Sequence, residues 1–200
     1  MLRLIFGCCA LVLLAACGGG GVGSPPADKV AIVAYKDAGP PKLTLITVIN
    51  NNTGGGGHAA LMISGSQRVI FDPAGSFRPD WVAEYGDVLY GITPRNLQAY
   101  KSAHARNSHH VVLHELPVSA QTANLALRLV EERGSVPSAF CANSISTILG
   151  QLPGLEDIKV TFYPEKLMGQ FAAKGAVVVD QYYEDDDGNV VDGYTVAVAE

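Results

Sequence analysis

Cys141 sits in the stretch "SVPSAFCANSISTILGQLPG", and it is one of four cysteines in the chain, with Cys8, Cys9 and Cys17. Cys141, Ile145, Ile148, Leu149 and Leu152 recur at helical spacing, which predicts a helix from about Ala139 to Gln151 with Ser138 as its N-cap. The thiol would then lie in the first turn, on the face that packs against a sheet. A thiolate there gains from the helix macrodipole and from unpaired backbone N–H groups, both of which lower its pKa. Burial against apolar neighbours acts the other way. A reactive Cys141 therefore needs a polar partner from the sheet, and histidine is the residue type that serves. The alternative is that Cys141 is a small buried hydrophobe, as many free cysteines are.

Five histidines could be that partner: His58, His104, His109, His110 and His114. His58 follows "NNTGGGG" and begins the run "HAALMIS", so it stands at a strand end beside a loop poor in side chains, where a substrate can approach. Its alternative is a strand-end histidine satisfied by backbone groups. The four glycines precede a strand, the wrong context for a phosphate cradle. His104 falls in the polar segment "AHARNSHH" and is expected to be solvated. His110 and His114 share a strand face, but "HHVVLHE" is not a zinc-binding helix motif, and no metal site is predicted.

The elements that must position these groups read as strands first and helices later. "KVAIVAY" (29–35) and "KLTLITVIN" (42–50) are β-branched runs of strand length, and "HAALMIS" with "QRVIFD" across Gly65 and Ser66 reads as a hairpin. "TPRNLQAYKSA" is a helix with Thr93 as N-cap and Pro94 in its first turn; "HHVVLHEL" is a strand. "SAQTANLALRLVEERG" is a helix from Ser119 to the stop at Gly134, with Leu125, Leu129 and Val130 as its buried stripe. The expected class is α+β, an antiparallel β-sheet with helices packed on one side.

The N-terminal "MLRLIFGCCALVLLAACGGGG" has Arg3 before an uncharged run shorter than the ~20 apolar residues a membrane span needs. It resembles a bacterial lipoprotein signal peptide, with Leu14, Ala15, Ala16 and Cys17 matching the lipobox. That resemblance implies removal of residues 1–16, lipid modification of Cys17 and a membrane partner held through that lipid. Gly18 next to it points to the periplasmic face of the outer membrane. Cys8 and Cys9 leave with the signal, so Cys141 alone keeps a free thiol in an oxidising compartment. Residues 17–28 read as a flexible tether, 29–182 as one domain and 183–200 as an acidic tail. Residues 175–200 hold seven acids and no Lys or Arg, whereas residues 18–174 hold twelve acids and thirteen bases. This balance gives no basic patch for nucleic acid. "EDDDGN" lacks the full ligand pattern of a calcium loop.

"GHAALMI…RVIFDPAGS" followed, after a strand and a helix, by "FCANSISTIL" resembles the circularly permuted papain-like hydrolases. These are NlpC-type cysteine amidases in rearranged order, together with lecithin:retinol acyltransferase-like proteins. The resemblance covers about residues 45–170, and "FYPEKLMGQF" fits the closing segment only loosely. It implies that His58 is the base, Asp72 of "IFDPAG" the polar third residue and Cys141 the nucleophile, with no metal or organic cofactor. A three-residue loop of Gly65, Ser66 and Gln67 would set Asp72 opposite Ala60, on the His58 side; a two-residue turn would set it on the other face. The chemistry implied is acyl transfer through an acyl-enzyme, with the Cys141 backbone N–H as an oxyanion donor. Cleavage of amide bonds such as those of peptidoglycan stem peptides is expected. The alternatives are acyl transfer or thioester hydrolysis on lipids or lipoproteins, and a non-catalytic envelope-binding lipoprotein.

Overall fold

The computed structural model describes residues 27–185. The leader, Cys17 and most of the tether and acidic tail lie outside them. The chain is α+β. Seven strands form one sheet in the order β4-β5-β3-β2-β1-β6-β7, with every neighbouring pair antiparallel. The strands are β1 Lys42–Asn50, β2 Gly56–Ser64, β3 Arg68–Phe71, β4 Glu84–Tyr85, β5 Val88–Leu89, β6 His109–Pro117 and β7 Val177–Tyr182. Among the described residues five helices accompany them: α1 Ala27–Val33, α2 Pro94–His104, α3 Ala120–Arg133, α4 Cys141–Leu149 and α5 Pro164–Ala173. No helix among the described residues is long and apolar enough to cross a membrane.

β1, β2 and β6 form the centre because their runs of Val, Ile and Leu are apolar at successive positions, so both faces of the sheet are buried. On one face Leu43, Leu45, Ala59, Leu61 and Ile63 pack with residues of α3, α4 and α5. On the other, Ile46, Val48, Ala60, Met62 and Ile70 pack with Ala99, Tyr100 and Ala103 of α2. Helices packed on one side were expected; α2 instead takes the opposite face, because strands this apolar on both sides need cover on both.

The β1–β2 loop is built by Asn50, whose Oδ1 accepts the Asn52 and Thr53 N–H groups, each at 3.0 Å. Just beyond it, a Cβ at Gly56 would meet Pro164 Cβ at 2.5 Å and the Glu165 backbone N at 2.8 Å. Only glycine lets α5 come that close to β2. The Gly56 N–H then donates to Glu165 Oε2 at 3.1 Å.

The β2–β3 hairpin pairs Ser64 with Arg68, so its loop is Gly65, Ser66 and Gln67. This is the register that continues with Ala60 opposite Asp72. The run 29–35, expected as a strand, is instead α1 followed by coil. Val30 and Val33, one turn apart, are its packed residues, and Ile32 is exposed. Seven residues are too few for β-branched content to decide between the two periods. In α3 the buried stripe is Thr122, Ala123, Ala126, Leu127 and Val130, while Leu125 and Leu129 are only half-buried. The small residues bring the helix close to the hairpin loop, where Ser66 N–H donates to Asn124 Oδ1 at 2.9 Å.

Candidate active site

The chain leaves the sheet directly after β3. Asp72 N–H donates to Asp87 O at 2.8 Å, and Gly75 N–H to Asp72 O at 2.9 Å, which closes a tight turn. The β2–β3 pairing runs only from Leu61 to Ser64 on the β2 side. The first half of β2 therefore has an edge that β3 does not cover. α4 packs against this edge from the α3/α5 face, which brings Cys141 to the backbone of Ala59, whose N–H favours the thiolate. Strand alternation turns His58, like Ala60 and Met62, to the α2 face. The thiol and the imidazole thus come from opposite faces of the sheet and meet through the opening that β3 leaves.

His58 Nε2 lies 2.7 Å from Asp72 Oδ1. With a carboxylate as acceptor, Nε2 carries the proton, which leaves Nδ1 available to Cys141, the thiol whose interaction with the imidazole favours the charged form of both groups. Asp72 is 4% exposed and Cys141 7%, whereas 17% of the His58 side chain is open to solvent. The site is desolvated except at the imidazole.

The charges follow from this arrangement. Burial alone would lower the His58 pKa, but the Asp72 carboxylate and its hydrogen bond overcome it and push the imidazole up from 6.5 to about 10. Burial would raise Asp72, yet His58 and the Tyr100 hydroxyl hold it below the ordinary carboxylate range. Burial also opposes a thiolate at Cys141. His58, then the Ala59 and Ala142 N–H groups, outweigh it and lower the thiol.

Cys141 is the first residue of α4, so its own N–H has no acceptor within the helix. The helix starts two residues later than the expected Ala139. Phe140 occupies the N-cap position without a side-chain cap, and Ala139 sits at φ 68. That left-handed residue turns the chain so that the thiol faces β2; Ser138, the expected N-cap, is exposed.

Sequence reasoning missed three participants. Tyr100 is fully buried on α2, and its hydroxyl donates to Asp72 Oδ1 at 2.6 Å. His104, expected to be solvated, is half-buried: its ring stacks on His58 at 5.7 Å between centroids and 9° between planes, and its Nδ1 lies 2.8 Å from Tyr100 O. The i, i+4 spacing of Tyr100 and His104 was the available signal, since it places both on one helix face. Asp87, buried at φ 63, accepts the Ala74 N–H at 3.1 Å and the Val136 N–H at 2.9 Å on one oxygen, Oδ2. It thereby joins the turn after Asp72 to the loop that delivers Cys141.

His58, Asp72 and His104 bring ligand atoms within 4.8 Å of one another. The two imidazole planes are stacked and nearly parallel. Their in-plane lone pairs do not converge on one point as a metal would require, and the group is a hydrogen-bonded cluster. The other histidines are engaged elsewhere: His110 Nδ1 lies 2.6 Å from Asn51 Oδ1 and its ring stacks on Tyr183, while His114 is buried in the sheet. Glu184, in the stretch read as an acidic tail, pairs with Arg106 at 3.3 Å and accepts from the Tyr182 hydroxyl at 2.6 Å. A cavity of about 520 Å³ lined by Lys36, Asp37, Gly65, Ser66 and Asn124 lies at the far end of the hairpin and contains no thiol or imidazole. No family model, curated protein or solved structure matches the chain.

Proposed function

We propose that the chain is a cysteine-dependent acyl-transfer enzyme that hydrolyses amide bonds through an acyl-enzyme, with Cys141 as nucleophile, His58 as base and acid, and Asp72 as the group that orients His58. The observation that carries this reading is the 2.7 Å hydrogen bond between His58 and the buried Asp72 carboxylate, beside a Cys141 thiol that the imidazole lowers. The order of its parts, histidine strand, polar residue, then cysteine helix, supports kinship with the permuted papain-like hydrolases.

The thiolate attacks the substrate carbonyl while the imidazolium stands beside it. Negative charge gathers on the carbonyl oxygen, where the Cys141 N–H at the start of α4 is the nearest donor the helix offers. His58 gives its Nδ1 proton to the departing amine as the carbon–nitrogen bond breaks, which leaves a thioester on Cys141 and a neutral imidazole. Water then gives a proton to His58 and attacks the thioester; collapse releases the acid and restores the ion pair. Asp72 keeps its charge throughout and holds the ring with Nδ1 toward the sulfur.

A second substrate reading has its own support. Phe140, adjoining the nucleophile, packs edge-on against Phe162 at 5.2 Å, and Val160, Phe162 and Tyr163 are all exposed. An apolar surface beside the thiol suits an acyl chain. Envelope location and lipid attachment at Cys17 belong to the same proposal.

The test is alkylation of Cys141 by iodoacetamide across pH. Cys141 should react well below the ordinary thiol pKa of ~8.5, and His58→Ala should move that reactivity to alkaline pH. A native thiol that resists alkylation throughout, or reacts identically without His58, defeats the reading. Hydrolysis of peptidoglycan stem peptides against acyl esters then separates the two substrate classes.

A further inference from the structure

From the geometry of α2 we infer that Tyr100 and His104 are positioning residues for the Cys141–His58 pair, Tyr100 acting through Asp72 and His104 through the face of the His58 ring. This rests on the reading of Cys141 as a nucleophile activated by His58. Neither residue is placed where it touches the thiol or the reacting carbonyl.

Asp72 Oδ1 receives two donors at once, His58 Nε2 at 2.7 Å and the Tyr100 hydroxyl at 2.6 Å. A buried carboxylate with His58 as its one partner has a simple way to reduce its cost: it can take the imidazole proton and become a neutral acid beside a neutral ring. The thiolate would then lose the cation that stabilises it. The phenolic hydrogen bond opposes that transfer because it favours the charged carboxylate. Two donors on one oxygen also fix the carboxylate's rotation, and hence where Nε2 must point. Tyr100 is itself held, with its ring packed edge-on against Phe77 at 5.2 Å.

His104 supplies the second restraint. With Tyr100 O as acceptor its Nδ1 carries a proton, so the side chain is tied to its own helix one turn back. Its ring lies 4.3 Å from that of Tyr100 and covers His58 in near-parallel stacking. Stacking is tolerable only if His104 is uncharged beside an imidazolium. Burial and the charges of His58 and Arg106 keep it so against the pull of Asp72. The His58 ring is thus pinned at its edge by Asp72 and on its face by His104.

The experiment is the pH profile of Cys141 alkylation in the full chain, read as rate against pH together with the melting temperature. Tyr100→Phe keeps the packed ring and removes only the hydroxyl. It should shift the acid limb by about one unit toward alkaline pH, an approximately tenfold lower rate at a fixed pH on that limb. His104→Ala should shift the limb the same way, and His104→Phe, which restores a flat ring, should return it toward wild type. A profile identical to wild type in Tyr100→Phe overturns the inference. If that protein does not fold, an unchanged profile in His104→Ala overturns it instead. If the wild-type protein lacks the acid limb altogether, the nucleophile reading has failed first, and the two failures are told apart.

Discussion

Replacing Gly75 by alanine adds one methyl group at a residue that is neither nucleophile, base nor third partner, yet the structure places that methyl on the Asp72 carboxylate. A Cβ there would overlap Asp72 Oδ2, Cγ and Oδ1. Gly75 is not among the glycines at positive φ, so backbone strain does not enter. The Asp72 side chain must swing away, breaking its hydrogen bonds to His58 and Tyr100 at 2.7 and 2.6 Å. Hydrogen bonds to a charged group are worth about 1.5–3 kcal/mol each. Loss of ~2 kcal/mol from the His58 contact alone, at ~1.4 kcal/mol per pKa unit, lowers the imidazolium pKa by one to two units, which weakens the cation that holds the thiol down. The assay is iodoacetamide labelling of Cys141 followed by mass spectrometry from acid to alkaline pH, with thermal melting alongside. Gly75→Ala should move the acid limb toward alkaline pH, in the same direction as Asp72→Asn, and should melt several degrees lower. A Gly75→Ala protein with the wild-type profile would refute the claim that Asp72 sets the state of the thiol through His58.

Three further outcomes follow from neighbouring features. Asp87→Ala removes the acceptor of the Ala74 and Val136 N–H groups and should cost about 2–4 kcal/mol in chemical denaturation, whereas Asp87→Asn, which keeps a side-chain oxygen, should cost much less. Ala139→Gly should stabilise the fold by roughly 0.5–1 kcal/mol, because φ 68 strains alanine, and should leave the alkylation profile unchanged; a loss of stability would contradict the strain argument. His58 is lowered by burial but raised on balance by Asp72, from 6.5 to about 10, so its contribution to stability is complete below pH 6.5 and is lost as pH rises toward 10. The melting temperature of wild type should therefore fall across that interval relative to His58→Gln, and parallel curves would show that the pair is not formed.

His58 and Cys141 were legible because each carried a local signal. Helical spacing put the thiol in a first turn, and a glycine-rich loop before an apolar run put the imidazole at a strand end. Asp72 was legible only up to a choice of register. That choice is settled by contacts distant in sequence: Asn124 on α3 accepts the Ser66 N–H and helps hold the three-residue loop in place. The run 29–35 misled because β-branched residues at short length fit either period. His104 misled because a polar neighbourhood in sequence says nothing of what a helix covers.

The arrangement least visible in the sequence is the one on which the chemistry depends. Helices on one side of the sheet would have put His58 and the helix of Cys141 on a shared face, with no role left for α2. In the structure α2 covers the face to which His58 points, α4 lies behind the other, and the two side chains meet because β3 stops pairing at Leu61 and Asp72 turns away to Asp87. No local propensity encodes that opening. A buried side chain, Asp87, holds the departing turn and the incoming Cys141 loop on one oxygen, so the segments that carry Asp72 and Cys141 are tied at the same atom.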